Sequence, residues 1–227
     1  MDRLHLDQAA VATVCLTAND GVELVGHLWL PTAVEQIGTL IAGRRPVLLA
    51  VTAEEVSGFN AIPDAMAQAL AASLGLTAAA GAVVQANKVA HTRADGWHRL
   101  VTPAMFVGAV AAGTDYLLVD DHVGFGGTLA NLRGFVEHRG GRVLGMTTLT
   151  ETREARRIAL RAETLGMLRE KHGDELERFW RAELGHGFDC FTNIEAGYLC
   201  RAESVATVKN RMAQAAELAR RGGLSPA

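Results

Sequence analysis

Two adjacent carboxylates stand directly before a glycine-rich turn. In the stretch 116–129, an apolar run leads to Asp120 and Asp121, and Gly126-Gly127-Thr128 follows a few residues later. Glycines let backbone N–H groups approach a ligand closely, and the N-terminus of a following helix adds partial positive charge. The turn is therefore suited to bind a phosphate group.

The two aspartates narrow the choice of ligand. Carboxylates beside a phosphate repel it unless another group intervenes. Asp120 and Asp121 have a clear role if they accept hydrogen bonds from sugar hydroxyls. A phosphorylated ribose satisfies the whole arrangement, with its 5′-phosphate in the turn and its 2′- and 3′-hydroxyls on the two acids.

This stretch resembles the PRPP-binding motif of the type I phosphoribosyltransferases. The resemblance implies that Asp120 and Asp121 hold the ribose hydroxyls. The residues that it assigns to the 5′-phosphate are Val123, Gly124, Phe125, Gly126, Gly127 and Thr128. The family usually has two threonines before Gly-Gly-Thr. This sequence has Gly124 and Phe125 there, so two hydroxyl donors are missing.

A second loop corresponds to the family's pyrophosphate-binding loop. It follows the first core strand and runs from Thr52 to Asn60. The candidate pyrophosphate donors in it are Ser57, Gly58 and Asn60. The loop also contains Glu54 and Glu55, which are unfavourable near pyrophosphate unless they point away or face Mg²⁺.

The polar segment from Lys88 to Leu100 stands where the family has its flexible catalytic loop, and we expect an exposed loop here. Its cationic and histidine side chains are Lys88, His91, Arg93, His98 and Arg99, with Gly96 as a hinge and Trp97 as a lid. Cations on the leaving pyrophosphate lower the barrier, and loop closure excludes water. The resemblance therefore implies that Lys88 and Arg93 act with Asp121 in catalysis. An ordinary solvated loop is the alternative.

The function implied by the resemblance is transfer of the 5-phosphoribosyl group from PRPP to a nitrogen acceptor, with a nucleobase as the expected acceptor, and release of pyrophosphate. Mg²⁺ would be carried with PRPP, since no metal is expected to be held by the protein alone. Phe191 and Tyr198 are candidates for stacking on the base. A homodimer is expected because the family commonly pairs.

Other functions remain open. A protein of the same fold can keep the phosphate loop for binding only, as a regulatory or accessory protein for PRPP or a nucleotide. A phosphohydrolase acting on a phosphosugar is a further alternative, and so is a structural turn with solvated acids. A dinucleotide site fits less well, because Leu129 stands where its third glycine belongs.

The elements that must position these residues alternate between strands and helices. The predicted elements are the strands Pro46–Val51, Ala82–Gln85, Tyr116–Val119 and Arg142–Leu149 and the helices Ala65–Leu74 and Thr128–His138, with a turn over Asp120–Gly127. This rhythm predicts an α/β fold, a mostly parallel sheet of four or five strands with helices on both faces. Asn60 is expected to cap the first of these helices and Gly75 to end it.

The two ends of the chain are expected to add a small hood to this core. The N-terminal hairpin has strands Ala12–Thr17 and Val22–Leu30, the second ended by Pro31, and the helix Val34–Ile41 follows. The C-terminal elements are helices over Arg153–Lys171 and Asp174–Leu184, broken at Gly173, then a short strand within Phe188–Cys200 and a helix Val205–Arg220. We expect one domain over 1–227, with a core at about 46–150 and additions at 10–31 and 151–227.

Composition excludes several classes of protein. Of 227 residues, 49% are hydrophobic and 21% charged, which is typical of a globular protein rather than a disordered one. The net charge of −3 provides no overall basic field for nucleic acid or an anionic membrane. The three cysteines and the charged N-terminus, which lacks an apolar signal core, lead us to expect a cytoplasmic protein.

Overall fold

A computed structural model describes residues 11–13, 31–55, 58–87, 96–152, 155 and 158–221. The strands are β1 (Val11–Thr13), β2 (Val47–Ala50), β3 (Glu54–Glu55), β4 (Gly58–Phe59), β5 (Thr77–Ala78), β6 (Val83–Gln85), β7 (Phe106–Gly108), β8 (Asp115–Val123) and β9 (Arg142–Glu151). The helices are α1 (Pro31–Ile41), α2 (Ile62–Leu74), α3 (Gly96–Val101), α4 (Gly127–His138), α5 (Ala162–Leu184), α6 (Asn193–Cys200) and α7 (Val205–Arg221).

Five parallel strands form the main sheet, in the order β1-β9-β8-β2-β5. Its centre is β8, where Leu117, Leu118 and Val119 are fully buried. A strand covered on both faces needs such a continuous apolar run. Because the strands are parallel, the carboxyl ends of β2, β8 and β9 meet at one edge of the sheet, where the loop after β2 faces the turn after β8.

Helices cover both faces of this sheet. Leu48 of β2 points to the face covered by α1 and α2, in a cluster with Ile37 and Met66. Leu49 points to the opposite face and belongs to a cluster with Phe135 of α4. The prediction of an α/β fold with a mostly parallel sheet between helices is confirmed.

The C-terminal elements form a third apolar cluster, here called the C-terminal cluster. Its side chains come from α3, α5, α6, α7 and the 3₁₀ turn Phe188–Cys190, packed around Trp180. The predicted break at Gly173 is confirmed, since this residue has φ 61° and ψ −170° inside α5. The strand predicted within Phe188–Cys200 is wrong. Thr192 and Glu195 form a reciprocal capping box that begins α6 instead.

Several boundaries in the core differ from the prediction. The strand predicted to end at Val119 continues to Val123, so Asp120 and Asp121 lie in β8 and not in a turn. The strand predicted at Ala82–Gln85 forms as β6, but it pairs antiparallel with β7 outside the main sheet. The sheet edge is instead β5, whose two residues are too few to give a periodic signal.

Pro31 begins α1, as suits a proline in the first turn of a helix. The strand that it was predicted to end, Val22–Leu30, lies outside the described residues. Residues 96–101 are helical, and Leu100 is buried in the C-terminal cluster, so this part of the predicted loop is not exposed. Most of the predicted hairpin, residues 14–30, lies outside the described residues, and β1 pairs parallel with β9.

Among the described residues, no helix combines the length and the apolar character that crossing a membrane requires.

Leu117→Ala should reduce the free energy of unfolding by about 2–5 kcal/mol, because the cavity would lie in the middle of the sheet. The matched control is Leu218→Ala in α7, where the side chain is 66% exposed and the change should stay within about 0.5 kcal/mol. Urea denaturation of both variants measures the difference. Equal effects at the two positions would contradict the central place of β8 in the core.

Candidate functional site

The carboxyl end of β8 presents its residues alternately to the two faces of the sheet. Asp120 and His122 share the face of Leu118, and they pair in register with Thr148 and Thr150 of β9. Asp121 projects from the other face, toward the loop that follows β2. The two carboxyl groups expected to act alike therefore lie in different surroundings.

Asp120 is the buried member of the acid pair, with 6% of its surface exposed. Its Oδ1 accepts a hydrogen bond from the Asp121 amide at 2.9 Å. Burial, and then the nearby charge of Asp121, raise the pKa of Asp120 well above its usual range. Asp120 therefore keeps its proton at pH values where an ordinary aspartate is ionised, and Thr148 beside it is also fully buried.

Asp121 is joined to the loop after β2. Its Oδ2 accepts a hydrogen bond from Asn60 Nδ2 at 2.7 Å, and Asn60 Oδ1 accepts one from the Ile62 amide at 3.2 Å. The capping residue of α2 is Ala61 and not the predicted Asn60, although the Asn60 side chain does bond to the first turn of the helix. Asn60 thus holds one carboxylate oxygen of Asp121 in place.

The turn between β8 and α4 has all its carbonyls engaged. The bonds are Thr152 N to Val123 O at 2.9 Å, Thr152 Oγ1 to Gly124 O at 3.3 Å, Thr192 Oγ1 to Phe125 O at 2.6 Å and Ala130 N to Gly126 O at 2.9 Å. In a trans peptide the N–H points opposite to the C=O. The amides of residues 124–127, here called the amide row, therefore point away from these donors.

Packing against the C-terminal elements requires Gly126. This residue has φ +81°, and a Cβ on it would lie 2.7 Å from Ile158 Cγ2. Phe125 is anchored from the same side, because its ring lies 5.4 Å from that of Tyr198 in α6. The phenylalanine that replaces a hydroxyl donor of the motif therefore holds the turn to the C-terminal cluster.

Two nitrogen-bearing side chains flank Gly124. A Cβ at this position would lie 3.0 Å from Arg99 Nη1 and 3.8 Å from His122 Nε2. The Arg99 guanidinium also lies 5.6 Å from the centre of the Phe125 ring. Sequence reasoning missed His122, whose only signal was its position next to the acid pair, and it placed Arg99 in a loop and not in a helix beside the turn.

The structure locates only some of the other predicted site residues. Lys88, His91, Arg93 and Ser57 lie outside the described residues, and Gly58 lies in β4. Thr128 is half-buried in the first turn of α4. Gly96, the predicted hinge, begins α3 and is buried against the Tyr198 ring, and the predicted lid Trp97 packs on the same ring at 5.2 Å.

The two candidates for base stacking differ in their surroundings. Phe191 is fully buried against Trp180 and Phe188, so its ring has no free face for a ligand. Tyr198 is half-buried and lies beside the turn.

Within the described ranges, no group of three or more His, Cys, Asp or Glu side chains is arranged to hold a metal ion.

Two curated proteins are similar to this chain in sequence, and no protein-family model matches it. Protein TraN of Escherichia coli is 39% identical over 198 residues, which cover 87% of this chain and 44% of TraN. An uncharacterized protein of Haemophilus influenzae is 38% identical over 117 residues, covering 52% of this chain and 26% of that protein. The chain thus spans less than half the length of the curated relatives it matches.

Solved structures superpose only loosely. Adenine phosphoribosyltransferase from Thermoanaerobacter pseudethanolicus has a TM-score of 0.34 at 22% identity, over 52% of this chain and 66% of that one. Leishmania donovani UMP synthase has a TM-score of 0.31 at 13% identity, over 81% of this chain and 34% of that one. Similarity at this level establishes neither a shared activity nor shared residues.

Asp120→Asn should change how stability depends on pH. Because the folded-state pKa is raised, the folded protein keeps a proton that the unfolded chain releases, and stability falls as the pH rises from about 4 toward the folded-state pKa. The variant lacks this titration but keeps an oxygen for the Asp121 amide. Its stability relative to the native protein should increase by up to about 1.4 kcal/mol per pH unit in that window.

The matched control is Asp115→Asn at the start of β8. The hydrogen bond from Arg142, with its charge and that of Arg44, lowers the pKa of Asp115. The sign is therefore opposite, and this variant should lose stability relative to the native protein above about pH 4. Denaturant unfolding at several pH values measures both. If the free energy of unfolding changes with pH in the same way for the native protein and Asp120→Asn, Asp120 is not a buried, protonated acid.

Proposed function

We propose that this chain binds PRPP and transfers its 5-phosphoribosyl group to a nitrogen acceptor, a nucleobase, with release of pyrophosphate. The observation that carries the proposal is the amide row of residues 124–127, turned away from its engaged carbonyls and next to Asp121. The amide N–H groups can donate hydrogen bonds to a phosphate, and the Asp121 carboxylate can accept one from a hydroxyl. Both lie at the end of β8, and a ribose 5-phosphate carries a phosphate at one end and hydroxyls at the other.

The 5′-phosphate would bind to the amide row and to the first turn of α4. Amides that begin a helix have no acceptor within it, and the helix dipole favours negative charge. The Thr128 hydroxyl would add a donor, as would the neighbouring residues Val123 to Gly127 through their backbone. Arg99 beside Gly124 would supply the positive charge that a doubly ionised phosphate requires, and this compensates for the two hydroxyl donors absent at Gly124 and Phe125.

The ribose would lie between the amide row and the acid pair. Asn60 holds one carboxylate oxygen of Asp121, and a sugar hydroxyl would donate to the other. Asp120 would take part as a buried, protonated acid that supports the ribose site from the other face of β8. This differs from the equal roles that the sequence suggests for the two residues.

The reaction would break the bond between ribose C1 and the pyrophosphate oxygen, while C1 gains positive charge. Mg²⁺ bound with PRPP would take up charge on the leaving group. We assign the same role to Lys88 and Arg93, with the pyrophosphate held by Ser57, Gly58 and Asn60, and the orienting role at the ribose to Asp121. Tyr198 is the residue we propose to stack on the acceptor base.

A second candidate is a non-catalytic regulatory or accessory protein that binds PRPP or a nucleotide. Gly124 and Phe125 remove two hydroxyl donors, and Glu54 and Glu55 add negative charge to the loop that would receive pyrophosphate. The negative charge weakens the hold on the leaving pyrophosphate, and this favours binding without turnover. For either function we propose one domain over 1–227, a cytoplasmic location and a homodimer.

Incubation with Mg²⁺–PRPP and a panel of nucleobases distinguishes the two candidates. The transferase should release pyrophosphate only when an accepted base is present, and a nucleoside monophosphate should form in equal amount. Calorimetric binding of PRPP without turnover across the panel would favour the binding protein. Release of ribose phosphate without an acceptor would indicate a phosphohydrolase, and absence of PRPP binding would overturn the proposal.

Asp121→Asn should weaken PRPP binding by about 10- to 150-fold, since hydrogen bonds to a charged group contribute about 1.5–3 kcal/mol. The control is Glu217→Gln in α7, an acid paired with Arg221 away from the turn, which should leave PRPP affinity unchanged. Isothermal titration measures both constants. If Asp121→Asn binds PRPP like the native protein, its carboxylate does not contact the ribose.

A further inference from the structure

We propose that His122 is the general base of the transfer and removes the proton from the acceptor nitrogen. The inference rests on the proposed function and extends it to a residue to which neither the sequence motif nor the proposed function assigns a role. It is based on the hydrogen bonds of the imidazole ring and on its position beside Gly124.

The hydrogen bonds of Thr150 fix the tautomer of His122. Thr150 Oγ1 donates its single hydrogen to the Asp121 carbonyl at 3.1 Å. The same oxygen lies 2.8 Å from His122 Nδ1, so the ring must be the donor in this second bond. A neutral His122 therefore carries its hydrogen on Nδ1 and a lone pair on Nε2.

His122 Nε2 lies beside the turn to which the sugar phosphate would bind. His122 is exposed, and its Nε2 lies 3.8 Å from the point where a side chain at Gly124 would begin. We place a ribose with its phosphate on the amide row at the carboxyl end of β8, next to residues 122–124. Because Gly124 has no side chain, the His122 ring can lie this close to the turn.

Arg99 lies against the same point from α3, with Nη1 3.0 Å from it. The two side chains next to Gly124 therefore provide different chemistry to the two ends of the sugar. The guanidinium is always protonated and only donates, so it suits the anionic phosphate. The imidazole can accept a proton, so it suits the nitrogen acceptor.

The proposed step forms one bond, breaks one bond and transfers one proton. The acceptor nitrogen uses its lone pair to form the bond to ribose C1. The bond from C1 to the pyrophosphate oxygen breaks, and its electron pair leaves with pyrophosphate. The proton on the acceptor nitrogen moves to His122 Nε2, which gives an imidazolium that later loses this proton to water. Asp121, linked through its backbone carbonyl to Thr150, holds the ring in place indirectly.

His122→Ala tests the assignment. General base catalysis contributes about 10²–10⁴-fold, so kcat should fall by at least 100-fold while the Kd for PRPP changes by less than about threefold. Added imidazole should restore turnover in proportion to its concentration, which a purely structural role would not allow. His138→Ala is the control, since this histidine lies in the last turn of α4 and bonds to the Gly134 carbonyl.

Thr150 provides an independent test of the tautomer. Thr150→Val removes the acceptor for Nδ1–H and should lower kcat, and Thr150→Ser, which keeps the hydroxyl, should retain it. His122→Gln serves where the alanine variant does not fold, and it should also lose kcat without losing PRPP affinity.

The outcomes separate this proposal from the function on which it rests. If the native protein is active and His122→Ala has the same kcat, only the base assignment is overturned. The same holds if His122→Ala loses activity and imidazole does not restore it. Equal losses of PRPP affinity and kcat assign His122 to substrate binding and also overturn it. A native protein that binds no PRPP overturns both proposals.

Discussion

The site depends on four hydrogen bonds to the carbonyls of residues 123–126. Two come from Thr152, directly after β9, one from Thr192, at the start of α6, and one from Ala130 within α4. The bonds from Thr152 and Thr192 draw the carbonyl oxygens of residues 123–125 toward the end of β9 and the C-terminal cluster, so the nitrogens of the same peptides must point the other way. Three of the four donors that set the direction of the amide row are thus distant in sequence from its glycines.

Much of the fold could be predicted because its signals are local. A few neighbouring residues are enough to predict three of its features. These are the apolar runs of β2 and β8, the αL glycine that ends α2, and the break at Gly173 in α5. The predictions that were wrong concern which strands pair and which helices pack together. β6 has the composition of a strand, but which strand it joins depends on contacts far along the chain. Residues 96–101 look polar, yet Leu100 and Val101 bury α3 against helices a hundred residues away.

In the candidate site, too, features with local signals could be predicted and features that depend on distant contacts could not. The paired acids and the glycine-rich turn could be recognised from residue types and spacing, and they do lie together at the end of β8. The different surroundings of Asp120 and Asp121 could not be recognised, because Asp120 is buried from one face of the sheet and Asp121 is bonded to Asn60 on the other. The position of Arg99 and His122 next to Gly124 also arises only when α3 and β9 are packed in place.

The anchoring of Phe125 and Gly126 to the C-terminal elements limits how the protein can be divided. Thr192, Ile158 and Tyr198 all lie beyond β9, yet each touches the turn that follows β8. A fragment ending at the last sheet strand would keep every residue of the glycine-rich sequence and lose the scaffold that orients it. Recombination that replaced the segment after β9 would leave the sequence of this turn intact and remove the side chains that hold its shape.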